Sequence, residues 1–341
     1  MRPSAHFAAI AALTCASFVP SSMQAQSRLV VVSQKDHTAH IFDPATNQQI
    51  ASVVEDGVTG HEAVISPDGK TLYVPIYGDS GVGKPGTNGD HIDVIDLASA
   101  KQTGRIDFTH GVRPHMIVWN THTNQLLVTT ELDKTVSIID PHTLKIVGTI
   151  PTGQEQSHTF ALSPDGKRGY TANVGPGTVS VLDIRNRKLL ATIPISTDTQ
   201  RISVSRDGRY AFTSDQTKPE LVVIDTAAMK VARRIPIAAP GYGTAATFDG
   251  KYLLVAMRTV DKMAVIDLST MQVARTIDVP KEVYEIVLDP RGGRAWASSA
   301  ASGQIVAINL NTFAVSAHMP AGDYPDGLAF YAPGKTPQVS H

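Results

Sequence analysis

Three histidines, His61, His115 and His158, hold one equivalent position in three consecutive units of the chain, each at the start of an apolar run that ends in a turn. The next four units carry Gln200, Tyr242, Tyr284 and Asp326 at that position. Imidazoles converging from neighbouring strands could hold one transition metal (Zn, Cu or Fe), with Glu62 or Glu131 as a nearby carboxylate. A metal-free trio could instead serve as acid and base. A third reading has them hydrogen-bonding water and loops in a polar channel. Arg201 directly follows Gln200, and Arg113-Pro114 directly precedes His115. Arginines there suit a carboxylate or phosphate on a ligand, or ion pairs between units. Tyr77, His91, Glu131, Gln216, Arg258 and Glu285 complete the polar set. The ligand-binding candidates are thus His61, Glu62, Arg113, His115, Glu131, His158, Arg201, Tyr242, Arg258, Tyr284, Glu285 and Asp326.

Other chemistries lack their parts. Gly78-Asp79-Ser80-Gly81-Val82-Gly83-Lys84 has the spacing of a phosphate-binding loop, but Pro85 replaces the Ser/Thr and Gly86-Thr87-Asn88-Gly89 reads as a turn, not a helix start. Without the hydroxyl and the helix N-terminus the mechanism fails. Calcium at Asp79 and Asp90 has no regular ligand spacing behind it. There is no Gly-x-Ser-x-Gly elbow, no His-Glu-x-x-His and no Cys-x-x-Cys-His. No nucleophile can be named with its partner, so the catalytic residues stay open.

The elements that position the histidines repeat. Each unit reads as an apolar strand, a Ser-Pro-Asp-Gly-Lys turn or a variant, a second strand, a loop, a third strand ending in Asp, and a short fourth strand. Turn copies are Ser66-Pro67-Asp68-Gly69-Lys70, Ser163-Pro164-Asp165-Gly166-Lys167, Ser205-Arg206-Asp207-Gly208-Arg209 and Phe248-Asp249-Gly250-Lys251. Third strands end at Asp43, Asp96, Asp140, Asp183, Asp225, Asp267 and Asn309, spaced 53, 44, 43, 42, 42 and 42 residues. Seven such units predict an all-β, seven-bladed β-propeller of four-stranded blades with no helices. Pro-Asp-Gly suits the first turn, and the strand-ending acids read as caps of the next. Residues 28–54 supply three strands without an inner one, and Asp326–Tyr331 is an inner strand without partners. Pairing the two closes the ring and removes an open edge. Trp119 and Trp296 read as core.

Tyr170-Thr171-Ala172-Asn173 after Pro164-Asp165-Gly166-Lys167, with Val181-Leu182-Asp183 beyond, resembles the YVTN-repeat (YncE-like) β-propellers of exported bacterial proteins. The resemblance spans essentially residues 26–341. It implies the fold and leaves the function open, since relatives include binders of nucleic acid or peptide, cell-surface proteins, lactonase-like enzymes and the haem-d1 domain of nitrite reductases. That last domain has eight blades, whereas this chain counts seven. Lactonase-type propellers set carboxylates and Asn around an axial metal; the histidine-rich ring here departs from that pattern. Within each unit the two short, stereotyped turns share one face. The opposite face carries variable loops, the largest being Gly78–His91, and is where binding is expected.

Composition bounds the function classes. Lys+Arg 30 against Asp+Glu 31 and 6% aromatics fit poorly with binding nucleic acid. Arg2, the apolar run Phe7–Val19 and the small residues of Ser21–Ala25 have the anatomy of a signal peptide cleaved after Ala25, which predicts an exported, periplasmic or secreted protein. The lone cysteine, Cys15, leaves with it, so the mature chain has no disulfide and no thiolate. No membrane span follows, and residues 332–341 read as a tail. The chain is expected to be a monomer that binds a small molecule, peptide or glycan at the axial His-rich face. The alternative is a hydrolase or lyase, lactonase-like, that uses the same site through a metal or the histidines.

Overall fold

The computed structural model describes residues 26–335. Residues 1–25, read as a signal peptide, and the tail beyond residue 335 lie outside the described residues. Seven separate four-stranded antiparallel sheets make up the described residues, as the repeat predicts. Blades 1 to 6 span residues 64–107, 114–151, 157–194, 199–236, 244–278 and 283–320. Blade 7 joins Pro325–Tyr331 to the strands Arg28–Ser33, Thr38–Asp43 and Gln48–Val54, with Leu29 opposite Phe330 and Val31 opposite Leu328. The first and last described strands therefore share one sheet. The single helical turn among the described residues is the 3-10 segment Ala300–Ser302.

Local chemistry accounts for the turns. Ser163 Oγ donates to Asp165 Oδ1 at 2.7 Å and accepts from Arg168 N, while Asp165 also accepts from Lys167 N. The same net recurs at Ser66, Ser205 and Thr247. All seven strand-ending residues cap their turn, from Asp43 accepting from Ala45 N at 2.9 Å to Asn309 accepting from Asn311 N at 2.8 Å.

The interior consists of seven apolar clusters, one per blade interface. Val30 and Ile76 meet between blades 7 and 1, Phe212 and Val255 between blades 4 and 5, and Trp296 and Phe330 between blades 6 and 7. Trp119 and Trp296 are buried, as expected. Fourth strands are mostly exposed with one inward aliphatic each, such as Ile106 and Ile150. Each outermost strand pair carries a bulge, for example between Val181 and Leu182. Bulges add twist and discourage pairing with another edge.

Candidate functional site

The inner strands bulge where they enter the axial region. Register shifts fall between Pro114 and Ile117, Ser157 and Thr159, Gln200 and Ile202, and Val283 and Ile286. Arg113, Gln156, Glu282 and Tyr324, each two residues before the predicted ring position, have left-handed φ of 52–65°, and Arg201 itself has φ 54°. A bulge leaves one residue outside the alternation, so side chains from two successive positions face the axis. The neighbours of the ring residues, Glu62, Arg201 and Glu285, consequently converge. Two glycines hold the same position: a Cβ on Gly243 would lie 2.0 Å from Tyr284 O, and one on Gly327 2.2 Å from His61 O. Backbone packs too closely there for any side chain.

Arg201, only 4% exposed, reaches across the axis. Its Nη1 donates to Glu62 and Glu285, and its Nη2 to Asp326 Oδ1 at 2.9 Å. Gln34 Nε2 donates to the other Asp326 oxygen at 2.6 Å. Burial raises the pKa of Glu62 well above the usual carboxylate range, against the pull of Arg201, and raises Asp326 in the same way. One guanidinium among three buried carboxylates favours a shared proton. Glu62 Oε2 has no hydrogen-bond partner.

Blades 1 to 3 supply the histidines. His115 and His158 lie with ring centroids 3.5 Å apart at 33°, and His61 sits 5.4 Å from His115. Burial pushes His61 down to about 3 and His115 well below the ordinary imidazole value, so both are neutral at pH 7. Glu131 Oε2 accepts from Tyr77 Oη at 2.7 Å and lies 3.2 Å from His158 Nδ1. Burial alone would raise Glu131; His158, Tyr77 and Arg113 outweigh it and hold the carboxylate below its ordinary value. His115 Nδ1 and Gln200 Oε1 are buried without partners.

The mouth above this cluster holds two pockets. One of about 510 Å³ is lined by His61, Gln34, Lys35, Tyr324 and residues 78–81. The other, about 530 Å³, is lined by Arg258, Lys281, Tyr284 and Tyr324 among others. Arg258 stands 4.9 Å above the Tyr242 ring, and Tyr284 Oη meets Tyr324 Oη at 2.9 Å. The expected Gly78–His91 loop is shorter than its sequence suggests. Its strands run to Gly78 and from Asn88, because Gly78 pairs opposite Asn88 beyond a bulge. Arg113, 3% exposed, holds the excursion through Asn88 Oδ1, Ser80 Oγ and Lys84 O, with Glu131 at 3.9 Å.

The axis thus gathers all twelve candidates, but two members of the wider set belong elsewhere. Gln216 donates to Gly241 O at 2.6 Å, tying blade 4 to the next connection. His91 lies beside Asp56 and Asp93, whose donor atoms and its own fall within 4.8 Å of one another, and it contacts Asp90 at 2.8 Å. Burial alone would lower His91; its hydrogen bonds to Asp93, Asp90 and the Asp56 carbonyl outweigh that and push it up to about 9. The triplet pairs residues from a connection and a third strand, which no local spacing announces.

The model of the cytochrome D1 heme domain family matches residues 120–244. None of the curated proteins matches the sequence. Among solved structures, the Pseudomonas aeruginosa periplasmic gluconolactonase PpgL superposes with a TM-score of 0.72 at 17% identity, covering 90% of this chain and 99% of that one. Kuenenia stuttgartiensis hydrazine synthase gives 0.65 at 17%, covering 80% and 92%. The dihydro-heme d1 dehydrogenase NirN, in complex with DHE, gives 0.64 at 18%, covering 88% and 74%. The chain is a β-propeller. At these identities the likeness carries the architecture, and the chemistry must come from the residues at the axis. Among the described residues no helix is long and apolar enough to cross a membrane.

Proposed function

We propose that this is an exported propeller that binds a small, polar, hydroxylated molecule, of the sugar or sugar-acid class, at the axial mouth. One observation carries the reading: Glu62 Oε2, His115 Nδ1 and Gln200 Oε1, all buried beside the axis, lack hydrogen-bond partners. Buried polar groups are rarely left unpaired, and three at one site suit a ligand that brings hydroxyls. His61, half-buried, lines the pocket above them. Arg258 and Lys281 at the adjoining pocket suit a carboxylate on the same ligand. Export rests on the N-terminal sequence and on the fold likeness to a periplasmic protein.

A second reading, His-based hydrolysis or lyase chemistry on a lactone, is favoured by the Glu131–His158 contact. A carboxylate held against Nδ1 orients an imidazole and fixes which nitrogen is left to exchange a proton. The metal-free form of this reading fits better. A shared ion takes the in-plane lone pair of each imidazole, whereas the stacked His115 and His158 rings present their faces to one another. A tetrapyrrole, suggested by the cytochrome D1 likeness, does not fit. A flat macrocycle needs an open slot, and this axis is filled by Arg201 with its three carboxylates and by the stacked histidines.

The test is thermal-shift screening of the mature protein against sugars, sugar acids and their lactones, followed by calorimetry of each hit and product analysis for the lactones. Binding should weaken by about fivefold to a hundredfold in His115→Ala and in Glu62→Ala, since each removes a buried partner. A protein that none of these compounds stabilises, or whose binding survives both substitutions, would refute the axial reading. Turnover lost in Glu131→Gln would move the enzyme ahead of the binder.

A further inference from the structure

A large cavity lies on the face that carries the short, stereotyped turns, opposite the one where binding is expected. It has a volume of about 1030 Å³ and sits between the turns of blades 4 and 5. Its origin is legible in the repeat. Where two other turns read Ser-Pro-Asp-Gly, blade 4 has Arg206 in place of the proline and blade 5 has Phe248. The Arg206 guanidinium stacks over the Phe248 ring at 3.7 Å. Its Nε is buried without a partner, and its one hydrogen bond is a long one, 3.4 Å, to Ala246 O. Burial lowers its pKa to about 10, with no anion to offset the loss of solvation.

Nearby charges have the same bias. Arg209 and Arg233 also line the cavity, and no ion pair holds either among the described residues. Lys251 contacts Asp249 at 3.7 Å. The three carboxylates present are tied to their own turns. Asp207 accepts from Ser205 Oγ and Arg209 N, Asp249 from Thr247 Oγ1 and Lys251 N, and Asp267 from Ser269 and Thr270. Four cations thus face the space against three acids already engaged. Phe248, Leu268 and Met271 supply an apolar wall.

We infer that this cavity between blades 4 and 5 is a second binding site, for a small organic anion with a phosphate or carboxylate group on an apolar body. The anion would meet Arg206 and its neighbours, and the body would pack against Phe248. The site is separate from the axial mouth, since its turns lie at the opposite ends of the inner strands.

Calorimetric titration with phenyl phosphate tests it, with benzoate and inorganic phosphate alongside. Wild-type protein should bind phenyl phosphate saturably, more weakly as salt is added, and more tightly than inorganic phosphate, which lacks the apolar body. Arg206→Pro restores the residue found at Pro67 and Pro164, and the amide of residue 206 donates no backbone hydrogen bond in the turn, so this variant should melt with the wild type. It should lose about tenfold or more in affinity. Arg206→Gln, which keeps the turn's own sequence type, should lose as much. Absence of saturable binding of both organic anions at about 10 mM, where even a millimolar site would fill, overturns the inference. So does binding that persists in both variants. Equal affinity for inorganic and phenyl phosphate would overturn the organic ligand class.

Discussion

Replacing Arg201 with methionine is the sharpest test of the axial electrostatics. Its guanidinium is the common donor to Glu62, Glu285 and Asp326, whose residues are 1%, 2% and 6% exposed. Removing it leaves three carboxylates together in a poorly solvated space without their shared cation. Breaking a buried ion pair on one side costs about 3–5 kcal/mol. At about 2 °C per kcal/mol for a chain of this size, the melting temperature should fall by about 6–10 °C near pH 8. The loss must depend on pH. Glu62 and Asp326 already have raised pKa values, so the folded state binds more protons than the unfolded one above pH 4. Stability from these groups is present in acid and falls as pH rises through the folded pKa values. Without Arg201 the values of Glu62 and Asp326 rise further, so the variant's deficit should shrink as the pH is lowered. Melting followed by circular dichroism at pH 5, 6.5 and 8 reads this directly. A variant within about 2 °C of wild type at pH 8, or a deficit that does not change with pH, would refute the reasoning. Arg201→Lys should fall between, because one ammonium cannot reach three acids as a planar fork can.

Two further expectations concern one buried carboxyl and the closing strand. Burial pushes Glu55 up to about 7, with Gly60 N donating to Oε2 at 2.7 Å and Oε1 unpartnered. This group therefore withdraws on the order of 3 kcal/mol of stability as pH rises from about 4.5 through 7. Glu55→Gln should flatten that part of the stability profile, and an unchanged slope in urea titrations would count against a protonated Glu55. Deleting residues 325–341 removes the inner strand of blade 7, with its pairing to Arg28–Ser33 and the Trp296–Phe330 stack. The truncated chain should lose its cooperative melting transition and bind a hydrophobic dye, whereas a sharp transition would show that closure is dispensable.

The architecture was legible because its signals are local. A Ser-Pro-Asp-Gly turn and a strand-ending Asp each form their hydrogen bonds within five residues, and the period counts the blades. Even the third-to-fourth turn needs no glycine. Asn47, Ala100, Leu144, Arg187, Met229, Met271 and Phe313 take the left-handed conformation four residues after the capping residue, so the cap's position marks the turn whatever residue follows. The ring positions came from aligning those turns, the other axial candidates from lying beside them in the sequence or at the same mouth, and the structure places the ring residues around the axis. Their roles were not legible. Periodicity alone pointed Gln200 at the axis, but a bulge at the strand entrance turns Arg201 inward as well, and a one-residue irregularity decides which side chain faces the centre.

By itself the sequence determined the seven blades, the order of their strands, the joining of the two ends and the ring of residues near the axis. Each follows from turn chemistry, strand periodicity or the need to remove an open edge. Only the tertiary structure decided that Arg201 meets Glu62, 139 residues away, that Glu131 orients His158 from the neighbouring blade, and that Arg206 lies half-buried on Phe248. Those pairings depend on which blades become neighbours across a closed ring and on how far each charge is taken from water. Neither quantity is a property of any stretch of residues before the ring closes.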